Sequence, residues 1–195
     1  MNETATASAP ATTANLGPAF DVLAMALSPR CTVKARVAEE WSVKHIGVHA
    51  LASDEADGVV AAAQRAIGDR PLEIEVDNEV PLARGLGSSA ASFVAGAAAA
   101  LRAVGDDARP DRVFRIAAEM EGHADQAAAA VYGGLVLIPA EGMPMRLPLH
   151  PSLRPVVAVP PTRLPTYQAR AVLPESYERD VMIRSLSRMA ALIAG

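Results

Sequence analysis

The sequence predicts an α+β fold. Three observations carry this: segments alternating apolar and polar residues that suit half-buried strands, alanine-rich and amphipathic segments that suit helices, and a mixed order of the two. Strands, helix, strand, helix, helix, strands, helix is not the regular alternation of a doubly wound parallel sheet. The 195 residues, 51% hydrophobic and 21% charged, are long and apolar enough for a real core and far from a disordered composition.

Thr12 to Ala14 and Cys31 to Val37 are β-favouring, the second alternating Thr32, Lys34 and Arg36 with apolar neighbours, and Trp41 to Val48 reads as a further strand. Asp54 or Asp57 is placed to cap a helix running through Val59, Val60, Ala63 and Ile67, which Gly68 stops. "LEIEV", Leu72 to Val76, alternates strictly and is expected to be a half-buried strand. An alanine helix follows from Ala90 to near Gly105. "RPDRVFRIAAEMEGH" opens a helix at Pro110, with Val113, Ile116, Ala117 and Met120 on one face. "GGLVLI" and "RPVVAVP" read as buried strands, and Asp180 to Ala194 as a final helix.

The totals narrow the function. Net charge is −4 with the arginines scattered singly, which argues against nucleic acid as a partner. Cys31 is the single cysteine, so the chain forms no internal disulfide and no cysteine-based metal site, as suits a reducing compartment. "MNETATASAP" lacks the charged and apolar regions of a signal peptide, and "VYGGLVLIPA" is far too short to span a bilayer. The expectation is a soluble cytoplasmic protein with no membrane partner.

The most informative stretch is "PLARGLGSSAAS", Pro81 to Ser92. Glycine and serine disfavour a helix interior and alanine favours it, so the stretch reads as a loop feeding a helix N-terminus. Such a terminus offers unpaired N–H groups and the positive end of the helix dipole, which suit an anion. The loop lacks the lysine of a Walker A motif and the spacing of a dinucleotide fingerprint. Its amides and the two hydroxyls of Ser88 and Ser89 can still wrap a triphosphate and leave one hydroxyl for Mg²⁺. Taken alone, it is as readily a glycine turn before a tightly packed helix.

The pattern from Val80 to Ala91 resembles the ATP-binding signature of the GHMP small-molecule kinases at every constrained position. Within that superfamily, "APATTANLGPAFDVLAMAL" (Ala9 to Leu27) resembles the opening of the homoserine kinases. "EGHADQAAAAVYGGLVL" (Glu121 to Leu137) resembles their Glu-Gly-His-Pro-Asp-Asn segment and the Gly-Gly strand after it. "TRLPTYQARAVLP" (Thr162 to Pro174) resembles their substrate-side Thr-x-x-x-Arg segment. These landmarks, in order, cover nearly the whole chain.

The resemblance implies the GHMP kinase fold, with a ribosomal-protein-S5-domain-2-like, ATP-binding domain over residues 1–142. Residues 143–195 would begin an incomplete ferredoxin-like, substrate-side domain. It implies an ATP- and Mg²⁺-dependent enzyme that phosphorylates the side-chain hydroxyl of L-homoserine, in threonine biosynthesis. Pro81, Leu82, Ala83, Arg84, Gly85, Leu86, Gly87, Ser88, Ser89, Ala90 and Ala91 then hold the nucleotide, and Asp21, His123 and Arg170 are the catalytic candidates. Asn15, Asp21, His123, Asp125, Gln126, Thr166 and Arg170 take the substrate. Homoserine is a zwitterion, so Asp21 suits its ammonium and the Arg170 fork its carboxylate. Thr166, four residues before Arg170, shares its face if the segment is helical. Ser89 with Glu119 or Glu121 supplies the metal ligands; Glu119, on the helix body, is preferred. Phosphoryl transfer needs mainly positioning and charge neutralisation, and no general base is assigned.

The chain departs from the family at Ala19 (usually Gly), Ala124 (usually Pro), Gln126 (usually Asn) and Asp57 (usually Asn or His). A third, glycine-rich motif near the family's C-terminus has no counterpart here, so the expectation is either a truncated product or a chain that borrows the missing surface from a partner or a second copy. Two alternatives stand beside the kinase: a remnant that binds nucleotide without turnover, and a kinase for another small alcohol.

Overall fold

The computed structural model describes residues 3–51, 57–162, 164 and 166–194. Asp54, one of the two expected helix caps, lies outside them. Strand β1 (Ala5–Ala14) runs antiparallel to the long β2 (Leu23–Val37) along nearly its whole length. The other side of β2 is shared by two strands. Its C-terminal half pairs with β4 (Leu72–Asn78), and its N-terminal end, Leu23 to Met25, pairs with β5 (Leu135–Leu137). A parallel β3 (Ser42–Ile46) flanks β4, and β6 (Met145–Leu147) flanks β5. The β1–β2 register shifts between Pro10 and Thr12, a bulge at the point where β1 passes the glycine loop.

Alanine explains both what the sequence hides and how the layers fit. β1 places Ala7, Ala9 and Ala11 in the core, with Ser8 outside, although its composition suits a helix. Helix α2 (Ser88–Ala103) buries an almost continuous run from Ala90 to Leu101 against that sheet. Helix α1 (Gly58–Ile67) approaches it so closely that a Cβ on Gly96 would stand 2.7 Å from the Val59 carbonyl oxygen. Asp57 caps α1 by accepting from the N–H groups of Val59 and Val60, and Gly68 ends it. Helix α3 (Pro110–Glu121) begins at its proline and buries Val113, Phe114 and Ala117.

Several expected elements change. β1 and β2 are much longer than Thr12–Ala14 and Cys31–Val37, because pairing along β2 overrides local propensity. The run after His123 adds a buried helix, α4 (Asp125–Tyr132), which the sequence reading did not separate from its neighbours. β6 was likewise not expected. "RPVVAVP" is not a buried strand: Val156 is 94% exposed, and the prolines at 155, 160 and 161 remove ladder donors. Beyond residue 160 the chain forms two helices, α5 (Thr166–Ala171) and α6 (Arg179–Ala194), neither of which has a buried residue.

Candidate active site

The glycine loop lies at the end of β4 and feeds directly into α2. Asn78, 3% exposed, accepts from the Val80 N–H at 2.9 Å and reaches Ser88 Oγ with its amide at 3.5 Å, fixing where the loop leaves the sheet. Gly87 is the residue before α2, left-handed at φ +62, and no side chain caps that helix end, which leaves its first-turn N–H groups for a ligand. The tight approach at Gly87 is to protein: a Cβ there would stand 1.9 Å from Thr12 Oγ1. Gly85, at φ +71, has nothing within 4 Å of such an atom, so its glycine serves backbone conformation alone. Ala90 and Ala91 are fully buried; their side chains let α2 close on the core and do not face the loop's open side.

A cleft of about 230 Å³ is lined by Ala83 to Ser89, Gln126, Leu164 and Thr166. A second, of about 210 Å³, lies on the far side of the loop among His45, Leu82, Asn78, Ser92 and Phe93, and shares Ser88 and Ser89 with the first. The segment beyond residue 160 is tied to this region. The Leu164 N–H donates to the Ala83 carbonyl at 3.0 Å, and Ser185 Oγ donates to the Pro18 carbonyl at 3.2 Å.

Arg170 reaches back across the chain to Asp21, donating to its two carboxylate oxygens at 2.6 and 3.1 Å, and stacks 5.3 Å above the Phe20 ring. The two groups expected to hold opposite ends of a zwitterion thus hold each other. The turn that carries Asp21 is strained, with φ of +72 at Asn15, +37 at Leu16 and +58 at Asp21. Asn15 stabilises it by accepting from the Asp21 N–H at 2.9 Å, so its side-chain oxygen is engaged within the turn.

At the end of α3 the two candidate metal carboxylates diverge. Glu119 points outward, 59% exposed, and pairs with Arg65 at 2.6 Å. Glu121 points inward, its side chain 6% exposed and one carboxylate oxygen buried without a partner among the described residues. Burial pushes the Glu121 carboxyl above its ordinary pKa, the neighbouring Ser89 hydroxyl and His123 pull it partly back, and Asp125 adds to the rise. Of the two candidates, the one two residues further along the helix, Glu121, is the one whose side chain turns toward Ser89.

His123 lies between two carboxylates, with Nδ1 2.6 Å from Asp125 and Nε2 3.4 Å from Glu121. The bond to Asp125 raises its pKa, burial opposes this, and the charges of Asp125 and Glu121 favour the protonated ring. Burial works against the Asp125 carboxylate, yet the bonds from His123 and from the Gln126 N–H hold its pKa below the ordinary value. Asp125 is 2% exposed, and its carboxylate is engaged by His123 and by the Gln126 N–H. Pro81 and Leu82 bring the chain into the loop, Leu82 on the second cleft.

The GHMP kinases N terminal domain pattern matches residues 55–134, the stretch from α1 through α4 to the start of β5. The chain has the GHMP kinase fold. It is 41% identical over 187 residues to a protein named homoserine kinase from Thermus thermophilus, covering 93% of this chain and 64% of that one. It is 37% identical over 199 residues to a homoserine kinase of Clavibacter michiganensis, covering 95% and 63%. The crystal structure of homoserine kinase from Cytophaga hutchinsonii superposes with a TM-score of 0.79 at 29% identity, over 100% of this chain and 68% of that one. A crystal structure of mevalonate kinase, at 14% identity and a TM-score of 0.57, shares the fold. The chain spans 63–64% of the length of these two curated relatives.

Two features of this region carry no signal in the sequence. Thr12, fully buried beneath Gly87, carries no signal in an alternating Ala/Thr strand. The His45–Asp57 pair, at 2.6 Å, joins β3 to the cap of α1 and lies across strands the sequence does not pair. Among the described residues no helix is long and apolar enough to cross a membrane.

Proposed function

We propose that this chain is the nucleotide-binding part of a homoserine kinase, moving the γ-phosphoryl group of ATP to the side-chain hydroxyl of L-homoserine. One observation carries it: the glycine loop, the inward Glu121 and the Asp21–Arg170 pair gather around one region at the N-terminus of α2. The names of the relatives favour homoserine over another small alcohol. The two clefts share Ser88 and Ser89, so a triphosphate lying along Pro81 to Ala91 runs from the nucleoside side, near His45 and Leu82, to the acceptor side, near Gln126 and Thr166. Arg84 lies on that path with a buried guanidinium nitrogen lacking a partner among the described residues.

A divalent cation fits beside the loop. Among the described residues no group of three or more histidine, cysteine or acidic side chains forms a metal cage. The unpaired buried oxygen of Glu121 next to Ser89 instead supplies one hard carboxylate and one hydroxyl, the donor set Mg²⁺ shares with nucleotide phosphates. Bound there, it would neutralise charge on the β- and γ-phosphates. Asp21 receives the substrate ammonium and Arg170 its carboxylate, with Asn15 holding the turn and Thr166 on the cleft wall. His123, oriented by Asp125 and held above its ordinary pKa chiefly by that bond, stands near the reacting groups, and Gln126 offers amide hydrogens rather than a base. The division at residues 1–142 and 143–195 belongs to the same reading: β6 apart, little after 142 approaches the core.

The test is ADP release by the 195-residue chain with Mg²⁺ and ATP, with and without L-homoserine. Homoserine-dependent release is expected. Nucleotide binding without release confines the chain to the nucleotide step, and absence of nucleotide binding overturns the reading.

A further inference from the structure

Thr12 is a buried polar residue beside the glycine loop whose side chain the proposed chemistry does not use. It is 0% exposed, and its hydroxyl has no hydrogen-bond partner among the described residues. Its backbone is engaged: the N–H donates to the Leu86 carbonyl at 2.9 Å, tying β1 to the loop just after the bulge. Its hydroxyl is aimed at the loop itself. A Cβ on Gly87 would stand 1.9 Å from Thr12 Oγ1 and 3.4 Å from Gln126 Oε1, so these two oxygens flank the Gly87 α-carbon. Gln126, on two flexible methylenes, lines the acceptor-side cleft.

A buried hydroxyl without a partner is a standing penalty, and such violations concentrate at functional sites. Valine would fill the same volume without it. We propose that Thr12 is a positioning residue: when the loop closes on a nucleotide triphosphate, its hydroxyl donates to Gln126 Oε1 and turns the Gln126 amide N–H groups into the cleft. There they meet the terminal phosphoryl oxygens. A hydroxyl is needed because Gln126 must present its amide hydrogens, and not its oxygen, to an anion; an acceptor-only or apolar side chain beneath Gly87 leaves the amide free to flip. The inference rests on the nucleotide reading above and adds the group that orients Gln126.

The experiment compares wild type, Thr12→Val and Thr12→Ser by thermal melting and by calorimetric titration with Mg·ADP and with a non-hydrolysable Mg·ATP analogue. Thr12→Val should melt at or above the wild-type temperature without nucleotide, since it removes an unpaired buried hydroxyl. It should bind the triphosphate analogue about tenfold more weakly, the loss of one hydrogen bond to an anionic group, while its affinity for Mg·ADP stays near wild type. Thr12→Ser should show the reverse: some loss of melting temperature from the missing methyl, with the preference for triphosphate kept. Equal weakening toward both nucleotides by Thr12→Val makes Thr12 a scaffold of the loop and overturns the proposal. So does unchanged affinity for both. If wild type binds neither nucleotide, the kinase reading itself falls and takes this inference with it.

Discussion

Replacing Gly87 by alanine should destabilise the protein considerably more than the same change at Gly85, although both adopt positive φ. At Gly85, φ +71, nothing lies within 4 Å of the added methyl, so the cost is the left-handed conformation, about 1–2 kcal/mol. At Gly87, φ +62, the methyl also meets Thr12 Oγ1 at 1.9 Å and Thr12 Cβ at 3.2 Å. Thr12 is 0% exposed and its N–H is bonded to the Leu86 carbonyl, so it cannot simply move aside. Overpacking of this kind adds roughly 1–3 kcal/mol. The entropy that glycine contributes to the unfolded chain is lost in both variants and cancels in the comparison. Urea denaturation reads the difference: with m near 1–3 kcal/mol/M, the Gly87→Ala midpoint should fall below that of Gly85→Ala by roughly 1 M at equal m. Adding Thr12→Ala to Gly87→Ala should recover part of the loss, a favourable coupling of about 1 kcal/mol or more. Equal midpoints for the two glycine variants, or strict additivity with Thr12→Ala, would refute the contact as the reason for glycine at 87.

Glu121→Gln should raise the Mg²⁺ concentration needed for nucleotide binding by about tenfold or more, as expected for the loss of a charged ligand group. Glu119→Gln should leave it unchanged, since that carboxylate is engaged at the surface with Arg65; titration of nucleotide affinity against Mg²⁺ separates the two. Arg170→Ala should weaken homoserine far more than ATP, and equal weakening of both in steady-state kinetics removes Arg170 from the acceptor side. His123 is held above its ordinary 6.5, chiefly by Asp125, so the stability it adds is complete below about pH 6.5 and lost as pH rises through the raised value. Asp125, held below its ordinary 3.8, adds stability above that pH that is lost in acid. Melting temperature should therefore decline on the alkaline side in wild type and more shallowly in His123→Asn. Burial pushes the Cys31 thiol to about 11, so a thiol reagent at pH 7.5 should modify it only after unfolding; rapid labelling of the native protein would contradict that environment.

What the sequence discloses is what local chemistry dictates. The caps and stops are legible because Asp57, Gly68, Pro110 and Gly87 act on their immediate neighbours. The loop and its helix are legible because glycine, serine and alanine differ so sharply in helical preference. β1 is not: ten residues with five alanines and a proline become a strand only because β2 pairs with them and α2 needs small side chains opposite. The choice between Glu119 and Glu121 turns on roughly 200° of helical rotation, at 3.6 residues per turn. Only tertiary packing fixes that zero point. Gln126 and Arg170 are found by pattern, but the oxygen behind Gln126 and the carboxylate facing Arg170 arrive from β1 and from the turn near Asn15, more than a hundred residues away in the chain.

The Asp21–Arg170 pair has a consequence for selection among small amines and acids. A molecule bearing only an ammonium can displace the arginine from Asp21, but it leaves the guanidinium over Phe20 without its anion. A molecule bearing only a carboxylate strands Asp21 in the same way. Each pays for one new contact by breaking two good ones. A molecule carrying both charges, spaced to reach both partners, exchanges one paired arrangement for another at little net electrostatic change. On the proposed function, the pair would work as a two-key lock, resisting singly charged metabolites through its own salt link and opening to an amino acid.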